Sequence, residues 1–352
     1  MTPWLIFVGF VLVMLALDLG VFHRKAHVVG FKESLGWSAV WITMGLSFSA
    51  LVYQAYEHHW WGLGLTADAV DGLINDGRLA ATKYLTGYVV EKSLSVDNIF
   101  VIAMIFGSLA VPARYQHRVL FWGILGALVM RGMMIGVGSA LVTNFHWTLY
   151  IFGGFLIFTG LKMLFMKEKE EHPENNPCVR LVRKLFPVTR DYHGQHFFVK
   201  AGSEKALEAA EPGAAKVADP VVSSARAGMW LMTPLMIALI LVEITDLIFA
   251  VDSIPAIFAI TADPFLVFTS NVFAILGLRS LYFALSGMID KFHYLKPALA
   301  LVLMVVGTKM LAAKWLKQLL GDSFNMTILG VILGMLATGV VASLIAGKKS
   351  AD

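Results

Sequence analysis

Cysteine is nearly absent: Cys178 is the single thiol among 352 residues. One thiol leaves no partner for an intrachain disulfide and no thiolate cluster for a soft metal, which points away from redox chemistry. Charge is scarce as well, at 15% Asp, Glu, Lys and Arg against 58% hydrophobic residues. A water-soluble globule of this length could not hide so much apolar side chain in its core, so the bilayer must be its solvent. A cleavage signature is also missing at the N-terminus. The first apolar segment, about Pro3 to Phe22, exceeds a secretory h-region and ends in His23, Arg24 and Lys25 rather than in small residues, so a retained helix is expected.

Windows of about 20 mostly apolar residues recur along nearly the whole chain, as spanning helices require. They predict an all-α polytopic membrane protein of about nine transmembrane helices, near 3–22, 37–56, 84–108, 118–142, 147–166, 229–260, 264–287, 295–313 and 326–346. The formal net charge of +4 calls for no nucleic acid, because most Lys and Arg fall between these segments, where a membrane surface would sit. Arg24, Lys25 and Lys32, then Arg114 and Arg118, then Lys291 and Lys296, and finally Lys348 and Lys349 occupy alternate-side connections and mark the cytoplasm. The N-terminus is then outside and the C-terminus cytoplasmic. Lys314 and Lys317 run against this rule. The polar stretch 167–228 falls on the cytoplasmic side. Its segment Cys178 to Phe186 has the spacing of an interfacial helix, and a solvated linker with a small folded patch around His196, Phe197 and Phe198 fits equally well.

The chain also matches itself. Glu91 to Ile99 reads EKSLSVDNI and Asp246 to Ile254 reads DLIFAVDSI, with the acids in register. Ile124-Leu125-Gly126 followed by Arg131 resembles Ile275-Leu276-Gly277 followed by Arg279, and Gly160-Leu161-Lys162-Met163-Leu164 resembles Gly307-Thr308-Lys309-Met310-Leu311. Three matches in the same order, on three successive spans, predict two three-helix units. Three is odd, so the copies cross in opposite directions, which is the inverted-repeat plan of secondary transporters with substrate sites where the units meet. The domain boundaries that follow are 1–83 for two helices and an external loop, 84–166 for the first unit, 167–228 for the cytoplasmic loop, 229–313 for the second unit and 314–352 for the last helix and tail.

Acids inside spans need a partner, a cavity or a function. Asp97 falls near the middle of the third span, Asp246 and Asp252 well inside the sixth, and Glu91 and Glu243 within a few turns of them. Asn98, Ser95, Ser253 and Thr245 add neutral oxygens. Residues six apart differ by about 240° in direction, so Glu91 and Asp97 do not share a helix face. Either the helix is interrupted or the two acids meet different neighbours, and Pro255 favours a break after Asp252. Oxygen donors of this kind suit a hard cation such as magnesium, calcium or manganese. The bland alternative is internal ion pairing with Lys92, Arg131, Arg279, Lys162 or Lys309, although Lys162 and Lys309 lie near span ends and are expected to snorkel. Asp18, near the cytoplasmic end of the first span, is a helix-end carboxylate or a further ligand. No cofactor is implied and no enzymatic constellation is visible. An intramembrane hydrolase with paired aspartates would need glycine-aspartate or histidine-metal patterns that are missing.

The stretches EKSLSVDNIF (Glu91 to Phe100), VEITDLIFAVDSIPAIFAIT (Val242 to Thr261) and SNVFAILGLRSLYF (Ser270 to Phe283) resemble the TerC family, its Alx-type members in particular. Asp18-Leu19 before a basic turn and HFFVK (His196 to Lys200) are similar too. The resemblance implies a bacterial inner-membrane exporter of manganese, with relatives linked to tellurite resistance, alkaline-pH response and metal supply for secreted proteins. It maps the family's acidic motif onto Glu91, Asp97, Asn98, Glu243, Asp246, Asp252 and Ser253. The expected partners are the lipid bilayer and the transported ion, Mn2+ with Ca2+ or another hard divalent cation as alternatives. A second copy of the chain or a secretion-machinery component is a further candidate. The competing function is a membrane assembly or interaction factor in metal or tellurite stress or in secretion.

Overall fold

The computed structural model describes residues 2–17, 30–145, 147–165, 181–184, 186–207, 219–285, 294–312, 315–316, 318 and 324–349. Helices dominate: α1 (Thr2–Leu17), α2 (Phe31–Glu57), α3 (Gly77–Ser108), α4 (Ala113–Asn144), α5 (Thr148–Phe165), α6 (Pro234–Phe258), α7 (Pro264–Leu276), α8 (Leu278–Leu285), α9 (Leu295–Leu311) and α10 (Phe324–Lys349). Among the described residues six helical segments are long and apolar enough to cross a bilayer: Phe31–Glu57, Ala113–Asn144, Thr148–Phe165, Pro234–Phe258, Pro264–Leu285 and Phe324–Ser343. Thr2–Leu17 and Pro297–Leu311 are shorter apolar helices. α3 has the length, at 32 residues, but carries Arg78, Lys83, Glu91, Lys92 and Asp97.

Helix starts follow local chemistry. Asp76 caps α3 by accepting the Leu79 N–H at 2.7 Å, and Asp263 caps α7 by accepting from Phe265 and Leu266 at 3.0 and 3.3 Å. Pro264 and Pro234 stand in first turns, where a missing N–H costs nothing. Pro255 does not break its helix: α6 runs through it to Phe258, so the expected interruption is absent. The span expected over 264–287 is present as the apolar stretch Pro264–Leu285, with Gly277 as the turn residue between α7 and α8.

The packing pairs helices in a reciprocal way. α4 lies on α6 as α7 lies on α3, α5 touches α6 as α9 touches α3, and α3 meets α6, α4 meets α7 and α5 meets α9. The closest of these, α5 on α9, crosses through glycine: a Cβ at Gly307 would stand 2.8 Å from the Gly153 carbonyl, and one at Gly160 2.7 Å from the Ala300 carbonyl. α1 and α2 cover the bundle through an aromatic cluster in which Phe7, Phe48 and Phe273 meet, with Phe48 and Phe273 ring centres 4.7 Å apart.

Among the described residues the two-stranded sheet begins in the segment expected as the cytoplasmic loop, 167–228, and is completed just beyond it. Phe198–Lys200 pairs antiparallel with Trp230–Met232, over a small core of Val199, Ala201, Ala206 and Leu231. The anticipated folded patch around Phe198 is therefore present. Of the Cys178 to Phe186 stretch, 181–184 are helical, and Cys178 lies outside the described residues. The patch docks on the bundle: Tyr192 donates to the Leu109 carbonyl at 2.7 Å, and the Arg118 guanidinium sits 5.2 Å from the centre of the Phe197 ring.

Candidate cation site

Two helix faces meet at the candidate site. Glu91, Ser95 and Asn98 recur at i, i+4 and i+7 on α3, and Glu243, Asp246 and Ser253 at i, i+3 and i+10 on α6, so each set forms one stripe. Arg131 of α4 stands between the stripes. Its Nη1 donates to Glu91 Oε1, while Nη2 and Nε donate to the two carboxylate oxygens of Asp246 at 2.8 and 3.1 Å. That second arrangement is the bidentate fork in which a guanidinium matches a carboxylate. Ser253 Oγ and Asn271 Oδ1 lie 3.3 and 3.5 Å from Nη1, and Asn98 Nδ2 lies 3.5 Å from Asp246. Arg131 and Glu91 are 2% and 1% exposed, so the pair is sealed from solvent.

Glu243 owes its place to an absent side chain. A Cβ at Gly126 would overlap the Glu243 carboxylate, so only glycine lets α4 pass this close. Beside it a cleft is lined by Asn98, Gly123, Ala127, Thr245, Asp246 and Leu278. Four buried oxygens at or near this junction have no hydrogen-bond partner among the described residues: Glu91 Oε2, Ser95 Oγ, Asn98 Oδ1 and Glu243 Oε2. All four are hard acceptors. No group of three or more His, Cys, Asp or Glu side chains forms a ready-made metal cage among the described residues.

The remaining predicted residues are distributed otherwise. Asp252 faces α5, where Thr159 donates to it at 3.2 Å, away from Arg131. The six-residue spacing from Asp246 thus resolves as different neighbours on an unbroken helix. Asp97 lies in α3, but its side chain is outside the described residues, as is Asp18. Internal pairing, the bland alternative, is realised for Arg131 and not for Lys92, whose Nζ donates to the Ala274 carbonyl at 3.0 Å. Lys309 does not snorkel: it is 3% exposed, with Nζ 3.4 Å from Asn325 Oδ1 and 5.2 Å from the Phe324 ring centre.

A second polar cluster joins the α2–α3 connection to the α6–α7 turn. Lys83 Nζ donates to Asp68, Asp71 and Asn75 at 2.8, 2.9 and 2.7 Å. Asp68 also accepts from the Thr261 hydroxyl and from the Ala262 N–H at 2.9 Å, and Asp263 accepts from the Tyr56 hydroxyl at 2.8 Å. Burial works to push the Asp68 carboxyl up, but the Lys83 ammonium and the Thr261 and Ala262 donors outweigh it and hold it below the usual carboxylate range.

The model of the integral membrane protein TerC family matches residues 77–351, beginning at the first residue of α3. The chain belongs to the TerC family. Among TerC relatives, "Uncharacterized membrane protein STKORF319" of Myxococcus xanthus is 48% identical over 347 residues, covering 99% of this chain and 93% of that protein. The Escherichia coli K12 protein named "Putative membrane-bound redox modulator Alx" is 42% identical over 95% of this chain and 91% of its own length. A membrane protein of Rickettsia bellii is 36% identical over 95% and 96%. No solved structure matches the chain.

Proposed function

We propose that this TerC protein is a carrier, not an enzyme, that exports a hard divalent cation across a bacterial inner membrane, manganese first and calcium or another hard ion as alternative cargo. The observation that carries this reading is the set of partnerless buried oxygens on α3 and α6 beside the cleft. Oxygens left without a donor in a low-dielectric interior are costly unless a cation or water uses them, and this set suits manganese-like ions. Manganese in particular rests on the family resemblance. In the proposed architecture nine crossings put the N-terminus outside and the C-terminus in the cytoplasm, with α3–α5 and α6–α9 as inverted units. The reciprocal packing of those helices supports that plan. Glu91, Asn98, Glu243, Asp246 and Ser253 are the proposed ligand set at the junction, with Asp97 and Asp252, six residues past Glu91 and Asp246 respectively, and Asp18 as ligands on the transport path.

Exporting a doubly charged ion against an inside-negative potential of about 100 mV costs roughly 4.6 kcal/mol, twice the single-charge value. Exchange for protons would supply it. Radioactive manganese flux in proteoliposomes tests the reading, with intact protein beside Glu91→Gln, Asp246→Asn, Asp97→Asn and Asp252→Asn. Each change is expected to abolish flux while leaving membrane insertion intact. Normal flux in all four would remove the proposed path.

One observation favours a second reading. Arg131 already satisfies Glu91 and Asp246, as a lock in a bundle that serves assembly or interaction would require, and the docked cytoplasmic patch exposes Trp230 and Phe198. Trp230→Ala with Phe198→Ala decides between the two, since a carrier keeps its flux after losing that surface.

A further inference from the structure

We propose that Arg131 is a tethered counter-cation, holding Glu91 and Asp246 while the carrier is empty and yielding them to the cargo when a divalent cation binds. This rests on the transport reading above and assigns a role in it to a residue that is not a metal ligand. Glu91 belongs to α3 and Asp246 to α6, the leading helices of the two units, and the guanidinium bridges both. A planar fork with five donors can do this, whereas a lysine ammonium would act as one point charge. Yet Arg131 leaves Glu91 Oε2, Ser95 Oγ, Asn98 Oδ1 and Glu243 Oε2 unserved. A structural lock built only for stability would not need unserved oxygens on both flanking stripes. A divalent ion entering from the Asn98 and Asp246 side of the cleft can use them, and its two charges match the two carboxylates that Arg131 gives up. Nη1 has somewhere to turn: Asn271 Oδ1, a neutral acceptor outside the proposed ligand set, lies 3.5 Å from it.

The consequence concerns the return step. A carrier that has released its ion must reorient without it, and each carboxylate that the exchanged protons leave charged opposes that movement inside a bilayer. With Arg131 seated on both acids, the empty site can return. The residue is therefore needed for net transport and dispensable for one-for-one exchange, in which the carrier crosses loaded in both directions.

The test compares two modes in proteoliposomes holding the full chain and radioactive manganese: net efflux into manganese-free buffer, and exchange against unlabelled manganese. Arg131→Gln is expected to lose net efflux by about tenfold or more while exchange stays within about twofold, since only the empty state carries the uncompensated charge. Arg131→Lys, which can hold one acid at a time, is expected to show an intermediate ratio of net efflux to exchange. If Arg131→Gln is not recovered folded, the ratio in Arg131→Lys decides, and an unchanged ratio there overturns the inference. Equal loss of both modes in a variant that still elutes and melts as a folded protein also overturns it, because Arg131 would then be structural. Absence of flux in both modes for the intact protein instead removes the transport reading itself.

Discussion

Asp68 shows how a single carboxylate can fasten three parts of the chain, taking Lys83 from α3 and Thr261 and Ala262 from the α6–α7 turn while standing in the α2–α3 connection. Because its folded pKa lies below its unfolded value of about 3.9, its contribution to stability is fully present above that value and is lost as pH falls through the lower, folded one. Asp68→Asn is therefore expected to lower the melting temperature in detergent by the equivalent of about 3 kcal/mol at neutral pH, the low end for breaking a buried pair because Lys83 keeps Asp71. That gap should hold constant down to about pH 5 and close only below about 3.9. A gap already closing at pH 6 would refute the assignment. The sequence did not single this residue out, since spacing along a connection says nothing of what it folds onto. Glu91 and Asp246 were legible, because the repeat set them in register. Their shared partner was not: periodicity tells which face a residue occupies, not which helix covers that face, and Arg131 and Arg279 looked alike from their sequence settings.

Between helices the deciding features are the positions without side chains. Gly160 and Gly307 stood out as equivalent points of the repeat, and both lie in the α5–α9 crossing, where added Cβ atoms would meet Ala300 and Gly153 backbone. What the sequence match did not reveal is that these two helices pack on each other, which neither segment shows alone. Gly160→Val should force the helices apart, at about 1–3 kcal/mol for overpacking, read as a lower midpoint of thermal unfolding in detergent. Gly154→Val on the same helix, where no atom lies within 4 Å of the added Cβ, is the control and should leave the midpoint nearly unchanged. Equal effects at the two positions would mean that the crossing is not tight. The one expectation of a break that failed, at Pro255, has a positional explanation. Pro255 stands only three residues from the end of α6, so a helix that was about to stop has few hydrogen bonds for it to break. Gly277, inside an apolar run that reads as one helix, divides α7 from α8, and a Cβ there would approach Lys92 Nζ to 2.7 Å and Trp41 Cβ to 3.0 Å.

Across the whole molecule α3 stands out for the polar residues along its length. Lys83 and Glu91 share its stripe with Ser95 and Asn98, two turns or about 12 Å separating the first pair, while Leu109, just past its other end, anchors the two-stranded patch through Tyr192. The Asp68 fastening and the patch thus occupy opposite ends of a helix of 32 residues, about 48 Å long against a hydrocarbon core of about 30 Å. α3 is not among the six segments apolar enough to cross by composition, because it carries Lys83, Glu91, Lys92 and Asp97, so its crossing rests on the sidedness of these two ends. Their sidedness is measurable because the chain has a single native cysteine. In a Cys178→Ser background, Trp61→Cys, whose native side chain is 57% exposed in the α2–α3 connection, should react with an impermeant maleimide on intact cells stripped of their outer membrane. Ser203→Cys in the docked patch should react only after the inner membrane is opened. Labelling of both positions from one side would mean that α3 does not cross, and then Glu91, Ser95 and Asn98 could not lie on a route through the bilayer.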